Sequence, residues 1–410
     1  MKLNKKQYIA NYFTSFSCIG SDCEDHCCSD WQIYVDKEHY DWYQTDSFNR
    51  SCSLPNQFVK KIIEDESTEQ AYGVIELNEK GNCPCLTKEN LCQIHLSCGI
   101  KGLPNVCRSY PREIIQVNEE QFELGDLSCP EVTRSVLFSK SMPNFEKHVH
   151  TETYQQPPAK EYQVNKNIYQ QIHQNILYIL QQRQYPLAKR LLLIGSWIEV
   201  FTVVTQKEKK GMRKGIKIAE REIEKQKHLQ MPSSFHTDLS FWIPVIRDMY
   251  HHTEITSRTD KRFKNCLEHW KQGMKIENES VEVSKYQRNF REAYQEKYKP
   301  FLQENTYILE NYCAYYFLKH LFPYPPKSLS IQYMFFVIEF SLISHLLIGI
   351  SASTGGLNPE IITQFFQSYT KIHQHSSSSK SIHLNIHNEI QKKHKTYINC
   401  LSFFLGVLQK

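Results

Sequence analysis

The sequence predicts an α+β protein that is predominantly α: a small cysteine-rich α+β module built around metal or a cluster, followed by a helical domain. Three observations carry this reading. Eleven of the 14 cysteines in 410 residues fall between Cys18 and Cys129. Short runs that alternate apolar and polar residues lie in the same region, and beyond Gln163 the apolar residues recur with a period of about 3.6. The boundaries that follow are 1–140 for a cysteine-rich cluster-binding domain, 141–162 for a linker and 163–410 for a helical domain.

Taken in order, Cys18 to Cys28 is small and polar with no apolar stripe, which predicts a loop ordered by what it binds. Trp31 to Asp36 alternates as a half-buried strand does, Lys37 to Phe48 suits a helix, and Tyr72 to Leu77 and Ile114 to Leu124 are strand or hairpin candidates. Ser141 to Tyr162, with Pro143, Pro157 and Pro158, lacks periodicity and reads as linker. Ile168, Ile172, Ile176, Leu177 and Leu180 then share one helical face, and Leu187 to Val204 repeats the habit. Further helices are expected at Asn305 to Leu321, Leu329 to Ile350, Asn358 to Ile372 and Ile382 to Leu408, with breaks at Pro186, Pro232, Pro300 and Pro323 to Pro326.

A hydrophobic content of 40% with 12% aromatic residues excludes a disordered or fibrous chain. The 49 basic against 44 acidic side chains leave a net charge of +5, too little to predict nucleic acid or an acidic membrane as partner. The first residues are basic, but Tyr8 to Cys18 is mixed, with no apolar stretch of signal-peptide type. The apolar run Phe335 to Ile350 is short for a membrane span and contains Glu339 and His345, so it reads as a buried core helix. The expectation is a soluble cytoplasmic protein.

In a reducing compartment dense thiols favour metal or cluster binding over disulfides, and thiolates are soft ligands for zinc or iron–sulfur clusters. No Cys-x-x-Cys hook occurs, which counts against a zinc ribbon. The run Cys18-Ile-Gly-Ser-Asp-Cys-Glu-Asp-His-Cys-Cys-Ser-Asp-Trp31, with Cys83-Pro-Cys-Leu86, Leu91-Cys-Gln-Ile94, Leu103-Pro-Asn-Val-Cys-Arg-Ser-Tyr-Pro-Arg112 and Leu127-Ser-Cys-Pro-Glu131, resembles the flagellin lysine-N-methylase family. So do Glu310-Asn-Tyr312, Phe317 to Phe322 and Leu346-Leu-Ile-Gly349 in the helical half. The resemblance implies transfer of methyl groups from S-adenosylmethionine to lysine ε-amino groups of flagellin by an enzyme with a four-iron, four-sulfur cluster, zinc being the alternative metal. Carried over by position, the candidate cluster ligands are Cys18, Cys23, Cys27, Cys28, Cys83, Cys92, Cys107 and Cys129, not all of which need ligate. Cys85 and Cys98 are additions to the motif.

Fourteen glycines with no Gly-x-Gly make a Rossmann-like cofactor site improbable, and no other cofactor motif is legible. Arg108 and Arg112 are candidates for cofactor contact or thiolate charge balance, with a surface ion pair as the plainer reading. Asp25 and His26 are expected to order the ligand loop, Glu131 to lie at a helix start, and Trp31 to be core. Residues 207–227, with nine Lys or Arg and four Glu, read as a solvated helix. The spacing of His383 and His387 lacks the acidic base of a metalloprotease helix. A non-catalytic metal-binding adaptor is the alternative to the methylase.

Overall fold

The computed structural model describes residues 6–48, 58–63, 67–148, 160–162, 166–207, 211–226, 239–255, 261–276, 282–320, 329–373, 386–392, 394 and 396–406. The N-terminal third supplies β1 (Lys6–Ala10), β2 (Tyr34–Val35), α1 (Lys37–Tyr43), β3 (Val59–Lys61), β4 (Gly73–Ile75), α2 (Gln93–Cys98), α3 (Asn105–Ser109), β5 (Arg112–Val117), β6 (Glu120–Gly125) and α4 (Pro130–Leu137). Two more strands follow, β7 (Phe145–His148) and β8 (Lys160–Tyr162). The helices that follow are α5 (Lys166–Leu180), α6 (Leu187–Thr202), α7 (Met212–Gln226), α8 (Trp242–Ile255), α9 (Lys261–Gly273) and α10 (Val283–Ala293). The chain ends in α11 (Lys299–Glu304), α12 (Thr306–Lys319), α13 (Leu329–Ser353), α14 (Pro359–His373), α15 (386–392) and α16 (Tyr397–Leu405).

The strands form a five-stranded sheet in the order β7-β1-β6-β5-β8 and a three-stranded sheet in the order β2-β4-β3. The expected hairpin over Ile114 to Leu124 is β5–β6, closed with Val117 opposite Glu120. Asn118 takes the left-handed conformation this tight turn demands, at φ 52°. Strand β1 was not expected, because Lys6-Gln-Tyr-Ile-Ala is short and mixed. It forms because it is paired on both edges, parallel to β6 and antiparallel to β7, with Ile9 and Ala10 buried and Tyr8 stacked on Phe122 at 4.9 Å. The segment read as linker contributes β7 and β8 to the same sheet, so its described residues are structured by long-range pairing rather than by local pattern.

Apolar side chains gather into two cores. The larger joins the five-stranded sheet and α4 to the helices, and includes Phe13, Ile115, Leu127 and Val132 beside Trp197, Trp242, Phe317 and Phe340. The smaller holds Ile33, Val35, Tyr43, Phe48, Ile75, Cys83, Cys85 and Ile94. The residues before 140 are thus shared between two cores, and Cys129 belongs to the larger one. Helix α13 runs through the helical core. It is the one described helix long and apolar enough to cross a membrane, but 94% of its most apolar window is buried against other helices. Close approach of α9 to α13 needs Gly273, where a Cβ would meet the Gly349 carbonyl oxygen at 2.0 Å.

Two helix expectations change. The chain stays helical across Pro300, which sits in the first turn of α11 where its missing N–H is harmless. The last expected helix is interrupted, and α16 restarts at Thr396, whose hydroxyl accepts from the Asn399 N–H at 3.3 Å.

Polar residues in the helical half are buried and paired. Glu310, 1% exposed, receives Arg183 at 2.7 Å and Arg190 at 2.6 Å. Asn311 donates to the carbonyls of Val136 and Ser139 at 3.1 and 2.9 Å, closing the end of α4, and Tyr312 donates to Glu339 at 3.0 Å. Burial pushes the Glu339 carboxyl up to about 7, against the lowering effects of the Tyr312 hydrogen bond and the Lys319 charge. The folded state then binds this proton more tightly than the unfolded state, so the stability it confers is full below the ordinary carboxylate range and is lost as pH rises toward 7. We predict that Glu339→Gln gains on the wild type by about 3 kcal/mol between pH 5 and pH 8 in denaturant unfolding. Parallel pH profiles for the two proteins would refute the assignment.

Candidate functional site

The loop Cys18 to Cys28 contains only one turn of 3-10 helix, Gly20–Asp22, and is held from outside. Its anchor is Asp25. The Lys371 ammonium donates to both Asp25 carboxylate oxygens at 2.9 and 2.8 Å, and the Gln367 side-chain amide donates to Asp25 as well as to the Ser128 carbonyl at 3.0 Å. Lys371 is 6% exposed and Gln367 fully buried. They stand four residues apart on α14, so one helix face presents both to the loop. Glu24 is held by Arg134 of α4, with Arg262 of α9 at 3.9 Å, and Arg262 also donates to Gln367 at 3.1 Å. Trp31 covers the loop: its indole donates to the Cys27 carbonyl at 2.8 Å, its ring meets Tyr110 edge-on at 4.9 Å, and the Lys371 ammonium lies 5.6 Å from its centre.

The thiols fall into two neighbourhoods. In the first, Cys27 lies beside Cys28, Cys28 beside Cys83 and Cys83 beside Cys85, close enough for each thiol to affect its neighbour's ionisation, and Cys107 feels the charges of Cys27, Cys83 and Cys92. The Cys28 thiol is drawn down by Cys27, but its contact with Cys83 and its burial push it above the ordinary thiol range. Burial raises Cys92 and Cys107. The second neighbourhood is Cys18, Cys23 and Cys129, where burial pushes Cys23 up to about 11 and Cys129 up to about 12. Thiols this crowded repel one another on ionisation and remain protonated unless a cation joins them. The Lys371 charge acts the other way on Cys27 and favours its thiolate.

The donor chemistry therefore fits a soft metal or an iron–sulfur cluster. Among the described residues no group of three or more His, Cys, Asp or Glu side chains is placed to hold a metal ion. The candidate cysteines lie in two separate neighbourhoods, and Cys85, an addition to the family pattern, adjoins Cys83 in the first. Cys98 is disulfide-bonded, contrary to the expectation that dense thiols bind metal in preference to forming bridges.

The other candidates are placed as follows. Arg108 donates to Asn105 within α3, and Arg112 pairs with Glu123 across the β5–β6 hairpin while its guanidinium lies 5.4 Å from the Phe13 ring. Both guanidinium groups thus have partners within the protein. Asp25 orders the loop as expected, whereas the His26 Nδ1 is buried without a partner. Glu131 lies in the first turn of α4 and pairs with Arg134 at 3.0 Å. Of the histidine pair, His383 lies outside the described residues. Lys371, Gln367 and Arg262 were missed. A lone Lys or Gln on an amphipathic helix reads as surface, and the only available signal was the polar residues crowding α14, where Thr363, Gln367, Ser368, Thr370 and Lys371 are all buried.

Comparison with known proteins places the helical half. The family model of the FliB lysine N-methylase C-terminal domain matches residues 173–397, more than half of the chain, and the chain belongs to that family. It is 36% identical over 127 residues to the flagellar biosynthetic protein FliU of Salmonella muenchen, covering 31% of this chain and 73% of that protein. It is 34% identical over 127 residues to the lysine-N-methylase of Salmonella typhimurium, covering 31% of each chain, and the match to the lysine-N-methylase of Salmonella choleraesuis has the same extent. The matched stretch thus spans about a third of the named methylases. No solved structure matches. Arg262, Gln367 and Lys371, which grip the cysteine loop, all lie within the family span.

A second anchor lies inside the small core. Asp36 caps α1, accepting from the His39 backbone N–H at 3.2 Å and ring at 2.7 Å, and its other oxygen takes the Asn105 N–H at 2.9 Å, fixing the helix that carries Cys107. Burial works against its charge, but the Asn105 and His39 hydrogen bonds prevail and hold the carboxyl below its ordinary value. Asp36→Ala should cost about 3 kcal/mol in denaturant unfolding at pH 7, because it strands the buried Asn105 and His39 donors. A change below about 0.5 kcal/mol, the scale of an ordinary surface substitution, would contradict this role.

Proposed function

We propose that this protein is a protein lysine N-methyltransferase that takes its methyl group from S-adenosylmethionine, acts on lysine ε-amino groups of flagellin, and depends on an iron–sulfur cluster. The observation that carries the reading is the family match over residues 173–397, whose helices are the ones that grip the cysteine loop. The names of the relatives agree with it, as lysine-N-methylases and a flagellar biosynthetic protein. The first thiol neighbourhood would hold the cluster through four of Cys27, Cys28, Cys83, Cys92 and Cys107, with one of the adjacent pair left out. Cys18, Cys23 and Cys129 form a separate group that the cluster does not require.

Within this reading the chain's own residues have defined tasks. Asp25, Gln367 and Lys371 hold the ligand loop against the helices. Lys371 supplies a positive charge beside the exposed Cys27 and would offset part of the negative charge of a thiolate-rich centre. Trp31 and Tyr110 shield that side of the site. A lysine amine must be neutral to accept a methyl group, and desolvation is the means by which a pocket achieves this.

Protein purified without oxygen should contain iron and acid-labile sulfide in near-equal amounts and should transfer labelled methyl groups from S-adenosylmethionine to flagellin. Cys92→Ser and Cys107→Ser should each lose iron and transfer together, whereas Cys266→Ala, in the helical core, should retain both. Full iron content in both serine variants would overturn the ligand assignment. Zinc alone with no transfer would replace the methylase reading with that of a non-catalytic metal-binding adaptor.

A further inference from the structure

Away from the thiols, helices α5, α6 and α7 enclose a cavity of about 280 Å³ lined by Asn175, Tyr178, Ile179, Trp197, Glu220, Ile223 and Glu224. Its composition is uneven in a way that packing alone does not explain. Ile179 and Ile223 are 3% exposed and give it an apolar floor, and Trp197, 1% exposed and stacked on Phe201 at 5.2 Å, forms a wall. The Trp197 indole N–H is buried and finds no acceptor among the described residues. At the rim stand Tyr178, 52% exposed, and the carboxylates Glu220 and Glu224, one helical turn apart on the exposed edge of α7. Glu220 has no ion-pair partner among the described residues, although α7 carries five Lys or Arg between Arg213 and Lys225. On the same helix Lys225 pairs with Glu222, at 2.7 Å.

An apolar trough that ends at two carboxylates and an aromatic ring matches one side chain closely: a long aliphatic stem with a terminal cation. We propose that this cavity binds the side chain of a lysine residue presented by a protein partner. The stem would lie along Ile179 and Ile223, and the ammonium would meet Glu220, Glu224 and the Tyr178 ring. A peptide carbonyl beside the bound lysine would give the wall an acceptor that the described residues do not supply. Helix α7, read from sequence as a solvated charged helix, is folded onto α6 through Ile216, Ala219 and Ile223, and this packing is what presents its two glutamates at the cavity rim. The cavity is distinct from the thiol site and serves as a docking position rather than a place of chemistry. The preference for lysine over arginine rests on the methylase reading; the cationic character of the ligand does not.

The test reads binding directly, without methyl transfer, so its failure and that of the methylase reading are separable. Saturation-transfer NMR on the full chain at low salt would compare Nα-acetyl-lysine methylamide with its norleucine and arginine counterparts, on the wild type and on the E220Q/E224Q variant. The lysine probe should bind the wild type about tenfold or more tightly than the norleucine probe, which lacks the charge, and the variant should lose that margin. Both glutamates are exposed, so the variant should fold; should it fail to, the lysine–norleucine comparison on the wild type decides. Equal binding of the lysine and norleucine probes, no binding of the lysine probe, or an unchanged margin in a folded variant overturns the proposal. Arginine binding as tightly as lysine overturns the choice of ligand, and S-adenosylmethionine displacing the lysine probe would assign the cavity to the methyl donor instead.

Discussion

The contact between Lys371 and Asp25 ties the cysteine loop to the helical half. A loop of eleven small and polar residues cannot fold on its own apolar surface, and here it borrows its order from a lysine that reaches it from α14 and is 6% exposed. Burying that ammonium is costly unless it is fully paired, and Asp25 pairs it with both oxygens. Gln367 and Arg262 extend the network to Ser128 and Glu24, so three helices and the residue before Cys129 converge on one segment. Removing the Lys371 charge leaves the Asp25 carboxylate with the Gln367 amide but without this ion pair. The loop, the thiols beside it and the family's helical domain are in this sense one structural unit.

The same logic recurs through the helical half. Several of its buried polar residues pair with one another: Glu310 with Arg183 and Arg190, Lys319 with Asp126, and Tyr312 with Glu339. Each set joins elements distant in sequence, and each fixes a relative position that apolar packing alone leaves loose. The Glu310-Asn-Tyr312 run shows this compactly, since its three side chains reach α6 and the turn before it, the end of α4, and α13. The thiol neighbourhoods differ from these sets in gathering like groups that raise one another's ionisation cost.

What was legible in the sequence followed from local pattern. The helical periodicity placed α5, α6, α12, α13 and α14 within a few residues, and the alternation of Ile114 to Leu124 gave the β5–β6 hairpin. What was not legible depends on distance. Strands β1, β7 and β8 are too short to show a pattern and exist because they pair with partners up to 141 residues away. Lys371 and Gln367 are ordinary helix-surface residues until the loop they meet is known. Cys85 lies outside the family pattern and only geometry shows its contact with Cys83.

The central claim is that the Lys371–Asp25 pair sets the order of the cysteine loop, and amide hydrogen exchange on Lys371→Met and Asp25→Asn measures it most directly. The account predicts that exchange quickens at residues 18–31 in both variants while α13 stays protected, and that the double variant is no worse than the worse single one. Unchanged protection of residues 18–31 in a folded Lys371→Met protein would contradict it, and the loop would then owe its order to the thiols or to whatever they bind.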